Sequence, residues 1–363
     1  MAAGIRGRRW LPSGRTLGIV AVVLAVVAGA GWLAKPVWQP WWYAATLCGG
    51  NLSGGELADL LPNERLRAAK DTFGSGRSQL GCGVDESDGR HYVFDVNAEI
   101  DTGDPVGPLA IRVLGPEEIR YVYPSSVPGF YGEFGPVIVQ ECPKLGHDSR
   151  GRKRRLVTRV HPPANSPSPQ SLRTAVRIAN GANTEMGCGA DRLPLPDRVE
   201  PTRKLSVRQA KGTMCGWLAQ ATLPRSPSGK QWQVVAPTDG QATITSCSLI
   251  DSGTGESAVN LTGWYGNWAD RSSERVLFSK MQVPEEYSSH DALLGTGIGR
   301  AWARCAGESA TFLATSFAQD RSKSTLPMSD VRRLLNAFAT DQAEHRDCTG
   351  LKLPDRTVHP DAD

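Results

Sequence analysis

Eight cysteines carry the most legible chemistry in this 363-residue chain. They fall at Cys48, Cys82, Cys142 and Cys188, then at Cys215, Cys247, Cys305 and Cys348. The intervals are 34, 60 and 46 residues in the first four and 32, 58 and 43 in the second. Two quartets at near-equal spacing predict a tandem duplication. An even cysteine count beyond an export segment predicts disulfides, two per copy. Four cysteines permit three pairings; first with second and third with fourth is favoured, because nearest-neighbour closure costs least loop entropy. Zinc would need ligand pairs two to four residues apart. The chain has no Cys-x-x-Cys, and His345 with Cys348 recurs in neither spacing nor type in the other copy. Neither a metal nor a cofactor is therefore expected.

The other chemical candidates are weaker. Asp101-Thr102-Gly103 and Asp251-Ser252-Gly253 each follow an isoleucine. Two-lobed aspartic proteases take one such aspartate from each lobe, since two close carboxyls share a proton. Here Asp101 lies 19 residues after its second cysteine and Asp251 only 4 after its own, so they are not symmetry mates. His91, His147, His161, His290, His345 and His359 are scattered, and no Gly-x-Ser-x-Gly elbow supplies a nucleophile. Gly295-Thr296-Gly297-Ile298-Gly299 lacks the Gly-Lys-Ser/Thr ending of a phosphate loop and, like residues 132–136, reads as a turn. The run 150–155 is basic in the first copy only. Its Arg150, Arg152, Lys153, Arg154 and Arg155 are the candidate contact for an anionic envelope polymer or lipid headgroups. A solvated hairpin tip is the plainer alternative.

Disulfides require export, and residues 17–34 provide for it: eighteen residues without a formal charge. As a helix they span about 27 Å of a hydrocarbon core about 30 Å thick, with the backbone satisfied internally. Arg6, Arg8, Arg9 and Arg15 precede the segment and Lys35 follows. The positive-inside rule then puts residues 1–16 in the cytoplasm and the bulk of the chain outside, in a single-pass membrane protein. Trp32, Trp38, Trp41, Trp42 and Tyr43 suit the outer interface. A cleaved signal is the rival reading, with Ala28-Gly29-Ala30 as its site or Arg8-Arg9 as a twin-arginine pair. The uncleaved anchor is preferred because the apolar run continues past Ala30 into that tryptophan-rich belt.

Charge excludes one class of partner. The chain has 41 Lys+Arg and 37 Asp+Glu, net +4. Residues 1–35 hold five of the basic groups and no acid, leaving 36 basic against 37 acidic residues beyond them. A near-neutral body is not built to bind nucleic acid. With 40% hydrophobic residues, it can bury a core.

The elements that hold these groups read as an α+β fold, an antiparallel sheet with flanking helices in each of two lobes. Lobe 1 is set at residues 44–188, a proline-rich linker at 189–207, lobe 2 at 208–350 and a loose tail at 351–363. Ser53 and Glu56 have capping-box spacing before a short helix. Strands are predicted at 78–84, 91–100, 137–140 and 156–160, and again at 242–249, 258–265, 301–304 and 311–317. Leu172, Ala175, Val176 and Ala179 form a helical stripe, repeated by Val331, Leu334, Leu335 and Phe338. Leu47-Cys48-Gly49 matches Met214-Cys215-Gly216, Leu156-Val157-Thr158 is matched with Leu313-Ala314-Thr315, and Leu-Pro-Asp-Arg recurs at 195–198 and 353–356.

A membrane-anchored chain with Cys-Gly near a short helix, paired cystines and 31 Arg against 10 Lys resembles actinobacterial cell-envelope proteins. Its opening, a cysteine, a short helix and a second cysteine in a strand, is similar to that of single-lobe lipoproteins with a PsbP-like α+β fold. It departs from them in lacking a lipobox cysteine, because Cys48 lies well beyond the apolar segment. The resemblance implies a location more than a reaction. The expected function is non-catalytic binding or scaffolding in the envelope. The alternative is an extracytoplasmic hydrolase with its site in one lobe or the cleft between them.

Overall fold

The structure is a computed structural model. It describes residues 14–360 other than 75–78, 102–120, 124–125, 133–134, 149–150, 152, 164–167, 197–202, 237–241, 243, 267–268, 270–287, 289 and 317–325.

Two helices open the chain, α1 (Gly14–Leu33) and α2 (Lys35–Thr46). The first lobe then contains α3 (Gly54–Leu60), β1 (Leu66–Asp71), β2 (Gln79–Glu86), β3 (Tyr92–Asp101) and β4 (Tyr121–Val122). It continues through β5 (Gly129–Gly132), β6 (Gly135–Glu141), β7 (Arg155–His161) and α4 (Pro169–Glu185). Its sheet runs β1-β2-β3-β7-β6-β5-β4. The second lobe contains β8 (Arg203–Ser206), β9 (Trp232–Ala236), β10 (Ile244–Asp251), β11 (Ser257–Tyr265) and β12 (Leu293–Gly295). After β13 (Ile298–Cys305) and β14 (Glu308–Thr315) come α5 (Met328–His345), β15 (Thr349–Lys352) and β16 (Val358–His359). Its sheet runs β16-β12-β13-β14-β11-β10-β9-β8, with β15 beside β13. The expected α+β architecture with antiparallel sheets is present, and β1-β2-β3-β7-β6-β5 repeats as β9-β10-β11-β14-β13-β12.

Register fixes which residues correspond. Cys82 faces Val96, which faces Val160. Cys247 faces Leu261, which faces Ala314. Val160 and Ala314 are therefore equivalent, and the sequence match of Leu156-Val157-Thr158 with Leu313-Ala314-Thr315 is three residues out. An odd slip turns a strand over. Leu156 packs with Ala182 of α4 in one cluster, whereas Leu313 lies in the cluster between the sheets. The cause is unequal turns: Ala306-Gly307 joins β13 to β14, while residues 142–154 join β6 to β7.

The pairing is the nearest-neighbour one: Cys48–Cys82, Cys142–Cys188, Cys215–Cys247 and Cys305–Cys348. In each lobe one bond ties the opening turn to the second strand of the repeat. The other ties the end of a central strand to the residues just past the long helix. Four such bonds suggest an extracytoplasmic, oxidising setting.

The layers stack helix, sheet, sheet, helix. Leu172, Val176 and Ala179 of α4 pack with Val96 and Val160 on one face of the first sheet. Leu334, Leu335 and Phe338 of α5 do the same with Leu261, Ala301 and Phe312 in the second. The opposite faces meet, joining Phe130, Val137, Val139 and Val157 to Ile244, Trp264, Leu293, Ile298 and Leu313. At the centre the Phe130 and Trp264 rings lie 6.1 Å apart, edge to face. Alternation along each strand produces this: Val157 faces the other lobe, while Leu156 and Val160 face their own helix.

Several boundaries move. Helix α2 packs on the first lobe, so residues 35–43 belong to it. The capping box expected at Ser53 does not form, because Ser53 makes no side-chain cap. Glu56 instead accepts from Arg173 Nε at 2.8 Å and Arg177 Nε at 2.9 Å, tying α3 to α4. The reciprocal box is at Ser168 and Ser171, opening α4. The described first part of the linker, residues 189–196, is not an open connector. Asn180 exchanges two amide bonds with the backbone of Leu193, and Asn183 does so with Ala190. Its far end is β8, so lobe 2 starts at Arg203. The tail is not loose either. β12 occupies only the first part of the β13 edge, and β15 and β16 complete the sheet. Lys352 donates to Asp291 at 2.9 Å. The Ser288 N–H, then Lys352, hold that carboxyl at about 2.

Candidate functional site

The described part of the basic run, Lys153, Arg154 and Arg155, is tied to its neighbours. Arg150 and Arg152 lie outside the described residues. Arg154 donates from Nε to the His147 carbonyl at 3.4 Å. Arg155 is buried and bonds Glu141 at 3.2 Å. Lys153 bridges Glu141 at 3.4 Å and Glu308, in β14 of the other lobe, at 3.2 Å. The hydrogen bond it donates to Glu308, then the charge of Glu141, raises the Lys153 ammonium above the usual lysine range. Gly266 (φ 71°) sits under this clamp, and a Cβ there would lie 2.8 Å from both Arg155 and Glu308. Lys153 and Arg155 thus close the seam between lobes and are already paired within the chain.

The aspartates are apart in the repeat. By register Asp101 occupies the place of Gly266, and Asp251 that of Glu86. Asp251 is buried and accepts from the Ser228 N–H at 2.7 Å, the Ser228 hydroxyl and the Gly253 N–H at 2.8 Å. The Ser228 hydroxyl is the main cause that lowers its pKa. It pins a loop. Residues 295–299 are the tight turn between β12 and β13, matched by the β5–β6 turn. Among the described residues, no group of three or more His, Cys, Asp or Glu is arranged to hold a metal.

Two histidines stand near carboxylates: exposed His345 lies one helical turn from Asp341, Nδ1 to Oδ1 3.6 Å, and His161 lies across the sheet from Asp95. In register, Asp95 of β3 faces His161 of β7, and Asn97 faces Arg159. Asn97 donates to Asp95. Lys70 reaches across Gly81 to Asn97 Oδ1 at 3.4 Å and to Asp95 Oδ1 at 4.0 Å. Burial raises the Asp95 pKa against the pull of Lys70, and burial lowers that of His161. The equivalent positions in lobe 2 are Asn260 and Thr315, so this tier is specific to lobe 1. The sequence hid it because the partners lie 66 positions apart. Its only signal was that both fall on the polar side of alternating strands.

A cationic groove lies in lobe 2. A cavity of about 650 Å³ is lined by Ser206, Arg208, Arg225, Ser226, Lys230 and Trp232 among others, and no acid is among the described residues that line it. Arg208 follows β8, Arg225 and Lys230 flank the loop before β9, and Trp232 opens β9. The frame beneath is fixed. The Trp232 indole donates to the Pro224 carbonyl at 2.7 Å, and Asp251 holds Ser228 from behind. Gln209 Oε1 accepts from the Ser206 N–H at 2.9 Å. The three cations themselves are exposed and form no ion pair with any described residue. Such an arrangement takes anions: carboxylate or phosphate oxygens against two guanidinium forks and an ammonium, with hydroxyls beside them. Sequence reading missed it because its cations are spread over positions 208 to 230 and share no run.

Among the described residues no single helix is long and apolar enough to cross a membrane; Ile19–Leu33 and Lys35–Thr46 qualify only as a pair, bent by 79°. Comparison of the chain with protein-family models, curated proteins and solved structures found no match.

Proposed function

We propose that the protein is a membrane-anchored, extracytoplasmic binding protein of the cell envelope that holds an anionic ligand in the groove of lobe 2. The observation that carries this reading is the groove itself, with Arg208, Arg225 and Lys230 around one cavity and no acid among the described residues of its lining. Four disulfides favour a compartment outside the cytoplasm. The apolar α1 supplies the anchor, and two lobes packed sheet to sheet supply a rigid base. Binding is tested on the full chain in detergent, with tripolyphosphate as the probe in titration calorimetry. Each charge-assisted contact contributes about 1.5–3 kcal/mol, so Arg225→Ala with Lys230→Ala should weaken binding by at least about tenfold. Equal affinity in the double variant would overturn the assignment.

A hydrolase reading has one observation in its favour, the placing of Asp95 across the sheet from His161, where lobe 2 has Asn260 and Thr315. It requires a substrate whose turnover falls with His161→Gln while tripolyphosphate binding is unchanged.

A further inference from the structure

The second helix has two faces with opposite fates. Gln39, Pro40, Tyr43 and Ala44 are buried against lobe 1. Gln39 donates to the Glu64 carbonyl and accepts from the Leu66 N–H at 3.0 Å. Tyr43 Oη and Lys35 Nζ both donate to the Leu66 carbonyl, at 2.8 and 2.7 Å. The helix thus satisfies the backbone at the start of β1, an edge strand that would otherwise present it to solvent. The outward face is aromatic and aliphatic. Val37, Trp38, Trp41 and Trp42 are between 44% and 72% exposed, and Trp32 at the end of α1 is 60% exposed. That is far too much apolar surface for water to tolerate without a partner.

We infer that α2 lies along the outer surface of the membrane, its tryptophan face in the headgroup–acyl boundary, and clamps lobe 1 directly onto the bilayer. The inference rests on the proposed anchor, since it takes α1 as the span. Four features select lipid as the occupant. The face is continuous with the apolar α1, so the bilayer is adjacent to it. The two helices meet at 79°. If α1 crosses the bilayer, α2 runs nearly in its plane, the attitude of an interfacial amphipathic helix. The exposed residues are mostly tryptophan, whose half-polar ring favours that depth. Arg65 lies over the Trp32 ring at 4.8 Å and Lys35 at 6.0 Å, setting cations at the level of lipid phosphates. Because Gln39, Tyr43 and Lys35 hold lobe 1 to the same helix, the lobe cannot swing on a flexible stalk. Its orientation is inherited from the membrane.

The test uses the full chain in phosphatidylethanolamine–phosphatidylglycerol vesicles. Retention in the vesicle pellet after an alkaline wash reports the anchor by itself. Tryptophan quenching by lipids brominated near the headgroup, against lipids brominated near the acyl end, reports α2. Four of the ten tryptophans sit at the proposed boundary. The triple variant Trp38→Phe, Trp41→Phe, Trp42→Phe should stay in the pellet yet lose about three quarters of the headgroup-side quenching. Trp41 also packs on Gly54. The unaltered protein is therefore footprinted in parallel with hydroxyl radicals, and Trp38, Trp41 and Trp42 should oxidise at least about tenfold more slowly than their exposed rings predict. Retention with no headgroup-side quenching, or with full oxidation of these rings, overturns the clamp and leaves the anchor standing. Loss from the pellet overturns the anchor and the clamp with it.

Discussion

Removing one disulfide from each lobe at equivalent places tests the duplication energetically. Replacing Cys142 and Cys188 with alanine opens a loop of 46 residues, and replacing Cys305 and Cys348 opens one of 43. In the chain-entropy account, closing loops of this length stabilises the fold by about 4 kcal/mol each, and the two differ by less than about 0.1 kcal/mol because the term grows with the logarithm of length. Both bonds join the end of a central strand to the residues just beyond the long helix, so they close equivalent loops. Urea unfolding of the full chain in detergent, followed by near-ultraviolet circular dichroism, gives the two losses. Both should lie near 4 kcal/mol, a large share of the roughly 5–15 kcal/mol available to an ordinary domain. A loss of 4 kcal/mol or so in one lobe with almost none in the other would refute the reasoning. It would mean that one sister bond holds no native constraint. Free thiols on the unfolded but unreduced wild-type protein would refute it earlier still.

Two further perturbations probe the seam and the polar tier. Phe130 is fully buried against Trp264 between the sheets. Phe130→Ala should cost about 3–5 kcal/mol, including the edge-to-face contact, and should shift one common urea transition for both lobes. Two transitions, one of them unmoved, would show that the lobes unfold independently. Asp95 has a folded pKa raised by burial, so its ionised form opposes folding above its ordinary pKa of 3.8. Asp95→Asn should therefore help the melting temperature more at pH 7 than at pH 3, where both states carry the proton. A greater loss at pH 7 than at pH 3 would show that the carboxylate stabilises the fold.

Much of the scaffold was readable because it obeys short-range rules. Tyr92, Phe94, Val96 and Ala98 alternate, and β3 follows them; Val331, Leu334, Leu335 and Phe338 fall at helical spacing, and α5 follows them. Cysteine spacing is alike in the two lobes because each bond ties the same two elements in both. What failed depends on distant partners. Glu56 had the right spacing for a capping box, but two arginines more than a hundred positions away claim its carboxylate. Thr349-Gly350-Leu351-Lys352 has no strand pattern, and it becomes β15 only because part of the β13 edge stands open beside it. Lys153 read as free charge in sequence, and Glu308 of the other lobe claims it. The groove and the Asp95–His161 pair could not be seen for the same reason: tertiary folding, not spacing, assembles them.

The sheet-to-sheet seam also bears on why two copies share one chain. A lone lobe 2 would turn the Trp264 indole, Ile244, Ile298 and Leu313 toward water, and a lone lobe 1 would do the same with Phe130, Val137 and Val157. Separate copies would have to find each other by diffusion, at the mercy of how much of each was made. Fused head to tail, each copy carries its own lid, and the union no longer depends on abundance.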